Sequence, residues 1–205
     1  MPHSTVLIDL DGVLRTWPMD YSALEHRYGL PAGSIPRTAF EPGLLEQVVT
    51  GRITDRSWRG EIADRLATAN PASQAKEAIA TWSKPVGEVN REVLELIIQV
   101  RKTCRVGLIT NATDRLAHDL EVLGLPEHLD FIINSSEVGF AKPNSEIFIH
   151  ALAVADARPD QAVFIDDTLS NIAAASAMGV TAHHFTAAAS LRTFMQSIGL
   201  LANAA

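Results

Sequence analysis

The sequence predicts an α/β protein: a Rossmann-like parallel sheet with helices on both faces, carrying a small all-helical unit inserted after the first strand. Three observations predict it. The apolar run Val6-Leu7-Ile8 ends in Asp9-Leu10-Asp11-Gly12, the pattern of a buried parallel strand delivering acids to its C-terminal edge. From Arg15 to Lys84 no segment shows convincing strand character, and helical patterns follow one another. After Pro85, short β-branched apolar runs alternate with amphipathic ones, which implies β-α units around a parallel sheet. The expected division is therefore a core of residues 1–14 and 85–205 and a helical unit of residues 15–84.

The elements follow in order. In the insert, helices are expected over Tyr21 to Tyr28, Pro42 to Val49, Asp55 to Ala69 and Ala72 to Trp82. They are separated by Gly29-Leu30-Pro31-Ala32-Gly33, Gly51 and Asn70-Pro71. Thr54 and Asp55 suit a helix start, and Trp58, Ile62 and Leu66 share one helical face. In the core, Glu88 to Lys102 reads as an amphipathic helix and Arg105 to Thr110 as a strand. A helix from Thr113 to Leu123 is closed by Gly124 and Pro126. Strands are expected at Phe131-Ile132-Ile133, at Ala162 to Ile165 and over Val180 to Phe185. The helices between and after them run from Asn144 to Ala155, Leu169 to Met178 and Ala187 to Ile198, and the terminal Ala202-Asn203-Ala204-Ala205 is expected to fray.

A chain of 205 residues, 47% apolar and 20% charged, can bury a sizeable core. Its formal charge of −7 and the lack of any basic block argue against nucleic-acid binding by phosphate neutralisation. No apolar run approaches the ~18 residues that span a bilayer, and no secretory signal opens the sequence, so a cytoplasmic protein without membrane contact is expected. A single cysteine, Cys104, excludes an internal disulfide and reads as a packed side chain. Nothing in the sequence determines the oligomeric state.

Four polar clusters stand at strand ends or helix starts: Asp9/Asp11, Thr110/Asn111, Lys142-Pro143, and Asp166/Asp167 with Asn171 a turn later. Each alone is ordinary turn, cap or loop chemistry. Together they are more informative, because the strand ends of one parallel sheet converge on one edge, where open α/β sheets bind ligands. Four carboxylates around one crevice call for a cation, and an all-oxygen site suits Mg²⁺. The Thr110 hydroxyl and the Asn111 amide at a helix start suit an anion's oxygens, and Lys142 balances charge. These are the parts of a phosphoryl-transfer site with an aspartate nucleophile.

In order and content, Asp9-Leu10-Asp11-Gly12-Val13, Thr110-Asn111, Lys142-Pro143 and Phe164-Ile165-Asp166-Asp167 with Asn171 resemble the motifs of the haloacid dehalogenase superfamily. The surroundings fit as well: Ser136-Glu137-Val138-Gly139 precedes Lys142, Ile147-Phe148 follows it, and Met178-Gly179-Val180 follows the acids. The resemblance spans residues 5 to 185, with residues 15–84 in the place of that family's cap.

The resemblance implies that Asp9 attacks phosphorus to form an aspartyl-phosphate. Asp11 would protonate the leaving oxygen and then activate water, help typically worth ~10²–10⁴-fold. Thr110 and the backbone of Asn111 would hold phosphoryl oxygens, and Lys142 would bridge phosphate and nucleophile while keeping Asp9 ionised. Mg²⁺ would be bound by one Asp9 oxygen, the Asp11 backbone carbonyl and Asp167, with Asp166 acting through water or behind the ligands. Successive strand side chains point opposite ways, so equal roles for Asp166 and Asp167 would require the chain to turn between them. The second carboxylate, Asp11, favours phosphate-ester cleavage over dehalogenation, so a phosphatase acting on a small phosphorylated metabolite is expected.

A phosphomutase uses the same core and is not separated from a phosphatase by these residues. A phosphoacceptor receiver would carry its acid pair and phosphorylated aspartate on other strands and lack the helical insert, and a silent interaction protein would not fill every catalytic position. The neighbouring His183 and His184 face opposite ways and suggest packing or surface roles. Trp58 and Trp82 read as core, while Trp17, Arg56 and Arg59 are candidates for substrate contact.

Overall fold

A computed structural model describes residues 3–68 and 71–203. Strand β1 (Thr5–Ile8) is wholly buried and lies at the centre of a five-stranded parallel sheet. Two-residue strands β2 (Arg15–Thr16) and β3 (Glu88–Val89) pair antiparallel in a separate ribbon. The sheet is completed by β4 (Arg105–Thr110), β5 (Phe131–Asn134), β6 (Ala162–Asp166) and β7 (Thr181–His184), in the order β5-β4-β1-β6-β7. Ile8 pairs with Leu108 on one side and with Ile165 on the other, so the ends of β1, β4 and β6 come out side by side.

The strands are apolar throughout because both faces are covered. Alternate residues serve alternate layers. Val6, Ile8, Val106, Leu108, Val163 and Ile165 pack with α6 (Arg91–Val100), α7 (Leu116–Leu123) and α11 (Ala188–Ser197). Leu7, Ile109, Ile133 and Phe164 pack with α9 (Ser145–Ala155) and α10 (Leu169–Ala177), where Phe148 meets Phe164 edge to face at 5.1 Å. Gly107 leaves the room that Phe131 fills, since a Cβ there would lie 2.0 Å from the Phe131 ring.

Helices α1 (Tyr21–Arg27), α2 (Ser34–Ala39), α3 (Pro42–Val49), α4 (Asp55–Ala67) and α5 (Ala72–Trp82) surround an apolar cluster of their own, which includes Ile35, Val48, Trp58, Ile62 and Ile79. They are tied to the sheet unit by directed polar contacts. The Asp55 N–H donates to Asp114 at 2.7 Å, the Thr113 hydroxyl to Asp55 at 3.2 Å, and the Arg115 guanidinium to the carbonyls of Ser83 and Pro85. Among the described residues no helix is long and apolar enough to cross a membrane.

Among the described residues, four departures from the sequence expectation stand out. The ribbon of β2 and β3 lies where no strand was expected beyond Leu14 and where a helix was expected to start at Glu88. Strands of two residues carry no periodicity. Helix α2 is new, and its N-terminus is capped from a distance: the buried Glu25 carboxylate accepts from the N–H groups of Gly33 and Ile35 at 2.6 and 2.7 Å. A cap supplied ten residues away leaves no local signature. Helix α7 begins at Leu116 rather than Thr113, whose hydroxyl accepts from the Arg115 N–H and reaches Asp55 instead. A one-turn helix, α8 (Ser135–Val138), fills the segment before Lys142. The helix end expected at Ala69, the turn at Asn70 and the fraying of Ala204 and Ala205 lie outside the described residues.

Cys104 is buried, with burial pushing its thiol pKa up. The His183 ring stacks on Phe194 at 4.3 Å, while His184 Nε2 sits 2.9 Å from the Asp167 carbonyl. Their opposite directions follow from the strand alternation.

Candidate active site

Asp9 follows directly on β1, with its N–H on the Ile165 carbonyl at 2.9 Å. The chain then turns sharply: the N–H groups of Leu14 and Arg15 both reach back to the Leu10 carbonyl, and Gly12 takes φ +83°. A side chain there would be strained, and its Cβ would fall 2.0 Å from Asp167 Oδ2. Glycine therefore allows the first loop and the acid pair after β6 to touch.

Lys142 arrives from the loop before α9, beside a cis peptide to Pro143. Its buried ammonium lies 2.8 Å from Asp9 Oδ1 and donates to Asp166 Oδ2 at 2.6 Å. The Lys142 backbone is gripped by Asn111: its N–H donates to Asn111 Oδ1 at 2.7 Å, and Asn111 Nδ2 donates to its carbonyl at 2.8 Å. The amide that was expected to face an anion is thus spent on holding Lys142, and only the Asn111 backbone is left for that role. Thr110 is buried at the end of β4, two residues beyond the Leu108–Ile8 pair.

Strand β6 ends at Asp166, and the turn separates the two acids. Asp166 is fully buried and heavily bonded, accepting from Lys142 Nζ, from the Thr168 N–H at 2.7 Å, and from Asn171 Nδ2 at 3.1 and 3.0 Å. Asp167 is exposed. Carboxylate oxygens of Asp9, Asp166 and Asp167 lie within 4.8 Å of one another. Burial pushes the Asp9 carboxyl up from 3.8 to about 7, with Lys142 opposing the rise and Asp166 adding to it. Lys142 lowers the Asp9 pKa without offsetting that burial. Three carboxylates facing one ammonium, with oxygen donors only, fit a hard divalent cation.

Asp11 points elsewhere. Its Oδ1 accepts from Arg15 Nε at 2.7 Å and from the Trp17 indole at 2.7 Å, and its Oδ2 from the second Arg15 nitrogen at 2.9 Å. Arg15 is buried, lies over the Trp17 ring at 4.5 Å, and also donates to the Val86 carbonyl and to Asp119, each at 3.3 Å. Arg115 completes the chain, 2.8 Å from Asp119. Arg15, Asp119 and Arg115 were not singled out from the sequence. Arg15 stands four residues after Asp11 across a glycine turn, which was the available clue; Asp119 and Arg115 needed the fold.

A cavity of about 240 Å³ opens from Asp11 and Asn111 into the helical unit, where Trp17, Phe40, Leu45, Val48, Trp58 and Trp82 line it. Trp58 and Trp82 meet edge to face at 5.4 Å, so they are both packing and wall. Arg59 lines the cavity too, paired with Asp55 at 2.7 Å; Arg56 does not line it.

Comparison with known proteins agrees with this fold. Residues 3–179 match the haloacid dehalogenase-like hydrolase family. Over 198 residues the chain is 29% identical to bifunctional epoxide hydrolase 2 of Mus musculus, an alignment covering 84% of this chain and 34% of that protein. The chain thus spans about a third of the length of that relative. It is 28% identical over 191 residues to a phosphoglycolate phosphatase of Cupriavidus necator, covering 88% of this chain and 79% of the other. Among solved structures, a HAD family enzyme of Bacteroides thetaiotaomicron in complex with magnesium and inorganic phosphate superposes with a TM-score of 0.72 at 22% identity, covering 90% of this chain and 95% of that one. A 2-haloacid dehalogenase from Pseudomonas syringae does so with a TM-score of 0.63 at 19% identity, covering 88% and 85%. These likenesses show a shared fold. With the family match extending from the first strand through the last acid motif, the chain belongs to the haloacid dehalogenase-like hydrolases.

Proposed function

We propose that this hydrolase is a Mg²⁺-dependent phosphatase that cleaves a small phosphate monoester through an aspartyl-phosphate on Asp9. The observation that carries the reading is the buried row of Asp9, Lys142 and Asp166, with Asp167 beside it and a second carboxylate, Asp11, two residues from Asp9. Asp9 and Asp167, with the Asp11 backbone carbonyl, would hold Mg²⁺. Asp166 would support from behind, since its oxygens are already taken by Lys142, Thr168 and Asn171. When bound, the cation supplies positive charge to the phosphoryl oxygens and to the Asp9 carboxylate.

Asp9 attacks phosphorus in line, and the leaving oxygen departs with a proton from Asp11. The aspartyl-phosphate is then opened by a water that gives its proton to Asp11, which releases phosphate and restores Asp9. The Thr110 hydroxyl and the Asn111 N–H orient the phosphoryl oxygens, while Asn111 holds Lys142 against both carboxylates. To act on the leaving group, Asp11 must free one oxygen from Arg15 and Trp17. The presence of Asp11 favours a phosphatase over the dehalogenase chemistry of the Pseudomonas syringae neighbour, because halide leaves without a proton.

The test is phosphate release from a generic aryl phosphate, with Mg²⁺ and with chelator. Mg²⁺-dependent release is expected, and Asp9→Asn should lower it by about three orders of magnitude or more. Undiminished release by Asp9→Asn would refute the nucleophile, and a lack of release from any small monoester would refute the phosphatase.

A further inference from the structure

The cavity beyond Asp11 carries charge that is already internally matched. Three arginines and three aspartates line it: Arg15, Arg59, Arg115 and Asp11, Asp55, Asp119. Arg15 is bonded to Asp11 at 2.7 Å and to Asp119 at 3.3 Å, Arg59 to Asp55 at 2.7 Å, and Arg115 to Asp119 at 2.8 Å. Among the described residues, each lining arginine already has a carboxylate partner, and only Arg59 Nε is left without a hydrogen bond. A carboxylate or second phosphate entering here would meet three aspartates and would have to break an existing pair.

Tyr21, Ser83, Asn111 and Thr113 add a few uncharged polar groups, and the rest of the wall is apolar and aromatic. Trp17 and Phe40 are 41% and 46% exposed, although both sit at the mouth of a concave surface, and Leu45, Val48, Trp58 and Trp82 continue it inward. A space of about 240 Å³ is below the ~300–1,000 Å³ of sites for drug-sized ligands, so it accepts one ring or a short branched alkyl group.

We infer that the organic part of the substrate is uncharged and largely apolar: the cavity selects monoesters of a compact aryl or alkyl alcohol against carboxylated or bisphosphorylated ones. This rests on the phosphatase reading for the phosphoryl half and on the cavity alone for the alcohol half. A wall whose arginines are already paired with carboxylates leaves a substrate carboxylate or second phosphate stripped of water and poorly replaced, whereas an apolar group gains by leaving water.

The experiment measures both halves on the whole protein with Mg²⁺. Steady-state kcat/KM is compared for benzyl phosphate, glycerol phosphate and phosphoglycolate, and the quenching or shift of tryptophan fluorescence is followed on titration with benzyl alcohol and with glycolate. Benzyl phosphate is expected to exceed both other esters by about tenfold or more, and benzyl alcohol alone to perturb the tryptophans. Phe40→Arg, which adds an unpaired cation at the mouth, should narrow the gap between benzyl phosphate and phosphoglycolate by about tenfold. Equal or better turnover of phosphoglycolate by the unmodified protein would overturn the inference. Glycolate perturbing the tryptophans while benzyl alcohol does not would overturn it even without turnover. Benzyl alcohol binding with no ester hydrolysed would uphold the cavity assignment and refute the phosphatase.

Discussion

Replacing Asp9 by asparagine should make the metal-free protein more stable at alkaline pH. Asp9 is buried, and its pKa is displaced from 3.8 to about 7 by that burial, against the pull of Lys142 and with the push of Asp166. A carboxyl whose folded pKa lies above its unfolded one stabilises the fold while protonated. That stabilisation is complete below about pH 4 and is lost as pH rises to 7. At 1.36 kcal/mol for each tenfold change in the proton equilibrium, the loss above pH 7 is about 4 kcal/mol at most. The asparagine side chain would stand in for the protonated acid at every pH. For a chain of this size, a kcal/mol moves Tm by ~2–4 °C. Thermal unfolding of the two proteins in chelator, read by circular dichroism from pH 4.5 to 8.5 (about the window the displacement defines), should show the Asp9→Asn advantage growing to several degrees, up to ~10 °C. Adding Mg²⁺ at pH 8 should raise the parent's Tm and leave the variant's nearly unchanged. A variant no more stable than the parent at pH 8, or a difference independent of pH, would refute the account of an under-compensated buried carboxylate.

Two further outcomes follow from contacts around the same loop. Gly12→Ala places a Cβ against Asp167 Oδ2 at a φ of +83°, so the Mg²⁺ concentration for half-maximal activity should rise by roughly tenfold or more; an unchanged Mg²⁺ titration would refute a metal-binding Asp167. Arg15→Met strips a buried guanidinium from Asp11, Asp119 and the Val86 carbonyl, and urea unfolding should show a loss of roughly 3 kcal/mol, whereas a loss under about 1 kcal/mol would mean that the ion-pair row is structurally idle.

The parallel sheet and its acids could be read from local pattern because the physics there is local. A strand buried on both faces must be apolar along its whole length, so Thr5–Ile8, Arg105–Thr110 and Ala162–Asp166 stood out against their surroundings. The convergence of Asp9, Thr110 and Asp166 then follows from parallel pairing, which puts chain ends that are distant in sequence on one edge. The turn that divides Asp166 from Asp167 was likewise foreseeable, since a strand cannot aim two consecutive side chains the same way.

What the tertiary structure decided are the contacts between segments, where each residue type admitted several partners. Asn111 could have faced an anion, and the fold spends its amide on Lys142. Lys142 and Asp9 could have met at the surface, and the fold instead buries both, so that burial outweighs the pull of Lys142 on the Asp9 carboxyl. Asp11 could have stood free beside Asp9, yet the ribbon of Arg15–Thr16 and Glu88–Val89 brings Arg15 onto it and fixes Arg15 to Asp119, more than a hundred residues on. Arg15 of the ribbon and Phe40, which follows the far-capped helix at Ser34–Ala39, line the cavity, and neither element has a periodicity that one segment could display alone. A sequence specifies burial and alternation strand by strand; which charge neutralises which, and so what the cavity leaves unpaired for a substrate, is settled only when the segments meet.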